Sequence, residues 1–252
     1  MADGGTVHQA TPLHANGLLY FCTPYNKVFA VDPASGRQRW VFDPHRVDAR
    51  TGKALSPPMQ APSRCRGVAY WQPATAAPAG SPPAACARRI FKNGEGGRLY
   101  ALDADSGVPC RDFGAAKGHP GWVWHGDYDN RGEGFSGSPS SPPAVLGDLV
   151  IIGNSTNDGL SNARDGFIRA FDVRSGELRW EWSPIPAELA QRTGAANVWS
   201  TISVDPAGGL VFVPTTSPSP DSYGGGRQFD LPLATAIVAL DGRSGRVVWH
   251  FQ

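Results

Sequence analysis

Ala170-Phe171-Asp172-Val173-Arg174-Ser175-Gly176-Glu177-Leu178-Arg179-Trp180 decides the fold, because the chain repeats it. The phrase Ala-x-Asp-x-x-x-Gly-x-x-x-Trp also stands at 30–40 and 239–249, with an irregular copy at 101–113. The four starts are 71, 69 and 69 residues apart. Each copy reads as a short apolar strand, a tight turn closed by Asp, Ser and Gly, and a second strand carrying an aromatic. Glycine is needed where the turn takes φ positive. The Asp can accept from the turn amides, and the indole offers a large apolar face to the neighbouring unit. Four copies at a near-constant period mean a repeat architecture. In the second copy Val108-Pro109-Cys110-Arg111-Asp112-Phe113 replaces a clean strand, and Phe113 is expected to stand in for the tryptophan.

Outward from each phrase, further apolar runs complete a unit. In the first, Thr11 to Thr23 reads as a hairpin turning at Ala15-Asn16-Gly17, followed by strands at 27–31 and 37–42. Four strands per unit is the content of a propeller blade. The second unit is read from 68–71, 89–91 and 98–102, and the third from 144–145, 149–152, 167–171 and 178–182. The fourth comes from 199–204, 210–214, 236–240 and 247–251. The fold class is therefore all-β: four blades of four-stranded antiparallel sheet, a whole ring or part of one. Residues 43–64, 73–83 and 114–139 read as long loops, and 185–192 as one short helix.

Composition agrees. Of 252 residues, 31 are Gly, 23 Pro and 8 Trp, with only 18% charged, the profile of a turn-rich β protein. Basic and acidic residues nearly balance, 23 against 22, so bulk charge gives no reason to expect a nucleic-acid partner. No apolar run approaches the roughly 20 residues that span a bilayer, and no secretory signal opens the chain. Met1-Ala2 reads as an added start and Trp249 to Gln252 stop within a strand, so the chain reads as a piece of a longer protein. The cysteines, Cys22, Cys65, Cys86 and Cys110, form no CxxC pair, which argues against a zinc cluster. Cys22, in an apolar run, reads as a buried thiol, and Cys65 could pair with Cys86 in an oxidising compartment.

Four polar stretches at strand ends are not explained by blade repetition: 63–68, 140–143 followed by 150–159, 197–200 and 213–221. Successive amides and hydroxyls there suit an anionic, multi-carboxylate ligand. An arginine supplies bidentate pairing, and a carboxylate among amide and hydroxyl oxygens suits a hard cation such as calcium.

On these residues the sequence resembles the quinoproteins, dehydrogenases dependent on pyrroloquinoline quinone (PQQ). The phrase looks like their tryptophan-docking repeat. Cys65-Arg66-Gly67-Val68-Ala69-Tyr70, Ser141-Pro142-Pro143 and the stretch 166–180 resemble the membrane-bound glucose and quinate dehydrogenase branch. The resemblance covers nearly the whole chain and implies an eight-bladed ring. Eight such units need roughly 560 residues, so residues 1–252 would be a partial propeller domain of about half a ring.

The resemblance also implies a site. Gln9 stands where the family has an acidic residue near the quinone. Arg66 matches the arginine that reaches the cofactor's oxygens. Ser140 matches a hydroxyl contact to a cofactor carboxylate, and Ser155 and Thr156 the segment that holds another. Asp158 matches a carboxylate ligand of calcium, with Asn157 beside it. Trp199 matches the indole on which the quinone stacks, with Asn197 two residues before. Ser217 stands where the family often supplies calcium with an asparagine. Gln60, Ala61 and Pro62 occupy the region where relatives carry a vicinal disulfide or a histidine. The family's catalytic aspartate lies beyond Gln252, so no catalytic residue is assigned here.

The implied parent oxidises a sugar, polyol or quinate-like alcohol with PQQ and calcium, and passes electrons to ubiquinone. It would work at the periplasmic face of the inner membrane, its anchor outside this chain. The chain alone would be inactive, and its two open blade faces would make it self-associate. Plainer readings stand beside these. Arg66 could serve a blade-to-blade ion pair, Trp199 the core, Asp158 a turn before Gly159, and Ser140 a loop. His125, Asp127 and Asp129 read as a solvated loop rather than a metal site. The alternative for the whole is a non-catalytic propeller scaffold of the outer-membrane assembly type.

Overall fold

The computed structural model describes residues 8–47, 52–57, 64–75, 84–124, 140–160, 163–164 and 166–252. Their strands form four antiparallel meanders of four. The first holds β1 (Leu13–Ala15), β2 (Leu18–Cys22), β3 (Val28–Val31) and β4 (Gln38–Phe42). The second holds β5 (Ala69–Trp71), β6 (Arg89–Gly94), β7 (Arg98–Asp103) and β8 (Trp122–Trp124). The third holds β9 (Ala144–Leu146), β10 (Leu149–Gly153), β11 (Ile168–Asp172) and β12 (Leu178–Trp182). The fourth holds β13 (Ser203–Asp205), β14 (Leu210–Pro214), β15 (Ile237–Asp241) and β16 (Val247–Phe251). First strands neighbour one another in turn, β1 by β5, β5 by β9 and β9 by β13, so the sheets are blades fanned around an inner row. Among the described residues no helix is long and apolar enough to cross a membrane.

The core lies between blades, where alternate side chains of facing sheets meet. Tyr20, Val28, Trp40 and Phe42 of the first pack on Val68, Ile90, Tyr100 and Leu102 of the second. Phe91, Leu99 and Phe113 meet Val150, Ile152 and Phe171 at the second seam. Ile151, Ile168 and Trp180 meet Val211, Val213 and Leu240 at the third.

Each seam is closed by the repeated phrase. Asp241 Oδ1 accepts from the amides of Arg243 and Ser244 and from the Ser244 hydroxyl, at 3.1, 2.9 and 2.7 Å. Asp32, Asp103 and Asp172 bind their own turns in the same way. The turn so built receives the indole of the preceding blade. Trp180 Nε1 donates to Gly242 O at 2.9 Å, and Trp40 Nε1 to Ala104 O at 3.0 Å. The rings lie flat on Gly245 and Gly107, where φ is +70° and +73° and a Cβ would come within 2.6 and 2.5 Å of the indole. Glycine is thus required there twice over, by conformation and by contact. At the middle seam Phe113 takes the indole's place, as expected: it is fully buried, and a Cβ on Gly176 would lie 3.3 Å from its ring.

Several details differ from the sequence reading. The outer strand of the second blade is Trp122–Trp124, pairing with Arg98–Tyr100, inside what reads as a loop. The inserted residues around Phe113 fill the seam, so the phrase is split between a ring at 113 and a strand nine residues on. The expected helix at 185–192 is only a 3-10 turn at Ala187–Leu189. Trp199 precedes the first strand of its blade, which begins at Ser203. Both cysteine readings are overturned: Cys22 pairs with Cys65, and Cys86 with Cys110. Blade geometry, not loop boundaries, chooses the partners: Cys65 meets the end of β2 across the first seam, with Cα atoms 6.1 Å apart. Gln60–Pro62 and the His125–Asp129 loop lie outside the described residues.

The two outer faces have no neighbouring blade among the described residues. Ile237, Trp249 and Phe251 are 43%, 43% and 74% exposed. Val28, Trp40 and Phe42, at the same positions of the first blade, are at most 7% exposed. The Gly36 turn, at φ +67°, has nothing within 4 Å of where a Cβ would stand. The indoles should therefore differ in worth. Trp180→Ala is expected to cost about 3–5 kcal/mol by cavity formation, and Trp249→Ala under about 1 kcal/mol, measured by urea unfolding of the two variants.

Candidate functional site

In a meander the start of the first strand and the end of the second lie at the same end of the sheet. That rule alone gathers the sequence candidates. Gln9, Arg66, Ser140, Asn197 and Trp199 precede first strands, while Ser155, Thr156, Asn157, Asp158 and Ser217 follow second strands. All ten therefore sit on one rim, at the seams.

Contacts join most of them. Arg66 Nη1 donates to Ser140 O at 3.1 Å, and its guanidinium carbon lies 5.0 Å from the centroid of the Trp199 ring. Arg66 meets the lead-in of the third blade through a carbonyl and that of the fourth through an indole, and among the described residues no carboxylate pairs with it. Burial, and secondarily the charge of Arg64, lower its pKa. Trp199 is 40% exposed, so it is rim and not core. Ser140 meets Arg66 through its carbonyl rather than its hydroxyl.

Asn197, fully buried, wires the other half. Its Oδ1 accepts from Thr156 N at 2.8 Å, and its Nδ2 donates to Thr156 O at 3.0 Å and to Asp158 Oδ2 at 3.3 Å. Its backbone carbonyl accepts from Thr216 N, and the neighbouring Ala196 N donates to Ser217 O, at 3.0 and 3.1 Å. Arg66, Ser140 and Trp199 thus form one cluster and Thr156, Asp158, Asn197 and Ser217 another. Both are carried by the segment 196–199.

Three candidates stand apart. Asn157 spends its carboxamide oxygen on the amide of Gly159, at 3.2 Å, and takes the turn role that Asp158 could have had. Gln9 is exposed, on a lead-in tied to Arg66 through Thr11 N to Arg66 O at 2.9 Å. Ser155 is half-buried between its neighbours.

Sequence reading missed a second layer beneath the rim. Asn93 Nδ2 donates to Ser141 O at 2.8 Å, and Ser141 Oγ accepts from Gly153 N at 3.1 Å. Lys92 Nζ, fully buried, donates to Asn26 Oδ1 and to Asn93 O. The signal in the sequence is that Lys92-Asn93 follow the apolar Ile90-Phe91 within one strand. Asn93 Oδ1, Asn154 Oδ1 and Thr216 Oγ1 are buried with no hydrogen-bond partner. Orphaned oxygens are uncommon in finished interiors, and here two of them, on Asn154 and Thr216, flank Asn197 and Asp158.

The donor set fits both groups the resemblance implies. Carboxylate, carboxamide and hydroxyl oxygens suit calcium. An unpaired guanidinium over an exposed indole suits a planar polyanion. Two cavities, of about 460 and 440 Å³, one around Tyr25 and His45 and one around Val47 and Pro109, are lined by none of the ten candidates.

Comparison with known proteins agrees with this architecture. Residues 2–252 match the family described as "PQQ: Glucose/ethanol/alcohol dehydrogenase, beta-propeller domain". The chain belongs to that family. It is 33% identical to a quinate/shikimate dehydrogenase (quinone) of Acinetobacter baylyi, over 98% of this chain but 32% of that protein. It is 34% identical to a quinoprotein glucose dehydrogenase of Gluconobacter oxydans, over 99% of this chain and 31% of that one. Among solved structures, a quinohemoprotein alcohol dehydrogenase from Comamonas testosteroni superposes with TM-score 0.69 at 25% identity, over 98% of this chain and 35% of that one. The chain thus spans about a third of the relatives it matches.

Lys92 generates a prediction. Burial, opposed by the charge of Glu95, lowers its pKa to about 7, whereas an unfolded lysine titrates near 10.4. Between these values the unfolded chain binds more protons, so stability rises with pH across that window and is flat in this respect below it. Urea midpoints measured from pH 7 to 9 should climb in the natural chain more than in Lys92→Met.

Proposed function

We propose that the chain is part of a PQQ-dependent dehydrogenase that oxidises a sugar, polyol or quinate-like alcohol, with calcium, and passes electrons to ubiquinone. One observation carries the reading: a guanidinium without a carboxylate partner among the described residues lies over an exposed indole, two residues along the chain from the buried amide that holds a carboxylate. The relatives named quinate and glucose dehydrogenases support the substrate class, and residues 1–252 make one partial propeller domain in this reading. Bound PQQ supplies the two-electron acceptor.

The chain's own residues bind and orient. Arg66 donates to the anionic oxygens, with Gln9 nearby. Trp199 gives the plane a face, and Ser140, Ser155 and Thr156 offer hydroxyls and amides. Asp158 and Ser217, with Asn157 adjoining, hold calcium, while Asn197 fixes Asp158 and Thr156. No base is assigned among these residues, so the 252 residues bind but do not turn over. Two disulfides suit an oxidising compartment, which favours the periplasmic face of the inner membrane. A scaffold propeller has no use for an unpaired guanidinium on an exposed indole.

The intact protein, given calcium and PQQ, should quench its tryptophan fluorescence and reduce an acceptor dye in the presence of an alcohol. Asp158→Asn should weaken calcium binding about tenfold or more, a charge-assisted ligand being lost. No quinone binding by the intact protein would favour the scaffold.

The isolated chain should associate with itself, the Trp249 indole of one copy seating on the empty Gly36 turn of another as Trp180 seats on Gly245. Sedimentation at rising concentration should show a species larger than one chain, lost in Trp249→Ala. A single 26.7 kDa species at every concentration refutes it.

A further inference from the structure

Three segments bring the rim residues into place, and each is anchored at a seam to the blade before it. The segment before β9, which carries Ser140, is held by Asn93 Nδ2 donating to Ser141 O at 2.8 Å. The segment before β13, which carries Asn197 and Trp199, is held by Val198 N donating to Asn154 O at 3.0 Å, besides the Asn197–Thr156 pair. The segment before β5, which carries Arg66, has the Cys22–Cys65 disulfide at the corresponding place.

The correspondence is one of register. Cys22 pairs with Val28, four residues before Asp32, and Asn93 pairs with Leu99, four residues before Asp103. One rung of the repeat therefore does one task at two seams, with a carboxamide in the second blade and a covalent bond in the first. Both sulfurs are buried, Cys22 at 1% and Cys65 at 5% exposure. Cys65 is the residue immediately before Arg66. Beyond the disulfide, among the described residues the backbone of Arg66 is tied to blade 1 by one bond, from Thr11 N to its carbonyl at 2.9 Å, on an exposed lead-in. Its side chain rests on a neutral carbonyl and a ring face, which fix direction less firmly than a carboxylate fork.

We propose that the Cys22–Cys65 disulfide is a positioning bond for Arg66, holding the guanidinium over the Trp199 ring so that the rim is preorganised for its anionic ligand. The inference rests on the quinone-binding reading above and adds a residue pair to it. Cys86–Cys110 joins two parts of one blade and touches no rim segment, so it serves as the internal control.

The test compares Cys22→Ala/Cys65→Ala with Cys86→Ala/Cys110→Ala in the intact protein. Three quantities are read: thermal unfolding, PQQ affinity from tryptophan quenching, and amide hydrogen exchange over residues 64–68 without cofactor. The first pair should unfold cooperatively, bind the quinone about tenfold more weakly as preorganisation is lost, and exchange faster at 64–68. Its kcat should return at saturating quinone. The control pair should lose thermal stability with affinity unchanged. A folded Cys22→Ala/Cys65→Ala variant with natural affinity and natural exchange at 64–68 overturns the proposal. If that variant does not fold, the bulkier Cys22→Val/Cys65→Ala carries the same comparison. If the natural protein binds no quinone, the functional reading fails, while exchange at 64–68 still decides the positioning role.

Discussion

The structure depends on an aromatic ring lying flat on a glycine turn of the next blade. The lock works because two requirements coincide. The turn needs a residue at positive φ, and the indole needs a turn without a side chain; glycine meets both. Asp supplies the third part by binding the turn amides, which leaves the carbonyl after it free to accept the indole N–H. In Asp172, burial alone would raise the pKa, but the Arg179 hydrogen bond and the amides of Ser175 and Arg174 outweigh it and bring the carboxyl down to about 2. The turn is therefore built around a carboxylate that stays charged through ordinary pH.

Because the lock acts between sheets, it fixes blade against blade while leaving the strand ends free. That division of labour makes a site possible. Segments before first strands and after second strands converge on one rim, and only some of their side chains, such as Val68 and Val198, enter the apolar seams. They carry Arg66 and Asp158 partly exposed, while the buried Asn197 has its carboxamide satisfied by Thr156 and Asp158. Where the rim does dip into the interior, amides and hydroxyls meet one another, as Asn197 meets Thr156 and Asn93 meets Ser141. The oxygens left over, on Asn154 and Thr216, mark where that internal satisfaction runs out.

Much of this was legible in the residues, and the reason is physical. A repeat states its turn chemistry four times, so one irregular copy cannot hide the fold, and Phe113 could be assigned to the seam from its place in the phrase. The candidate rim residues came from small polar runs at strand ends and from the family resemblance, and the meander rule puts them at one end of the sheets. What could not be read was anything set by the distance between blades. The Cys22–Cys65 pair is one case, since a blade seam brings together residues that no loop length relates. The strand at Trp122–Trp124 is another, because an insertion displaced it from the phrase to which it belongs. Lys92 is a third: a polar residue in a strand announces a buried partner but does not name Asn26.

The placement of charge on the rim is the last step. Arg66 and Asp158 are of opposite sign and are carried to the same rim, yet no ion pair joins them. Each has a neutral partner instead, a carbonyl and an indole for the guanidinium and the Asn197 amide for the carboxylate. Both groups are partly exposed, where an ion pair is worth only about 0–1 kcal/mol, so resting on neutral partners costs the folded chain little. Asn197 and Trp199, two residues apart in one segment, do the separating: the first holds the carboxylate, the second lies under the guanidinium. What the rim holds is a guanidinium and a carboxylate, each on a neutral partner, fixed by residues two apart in one segment.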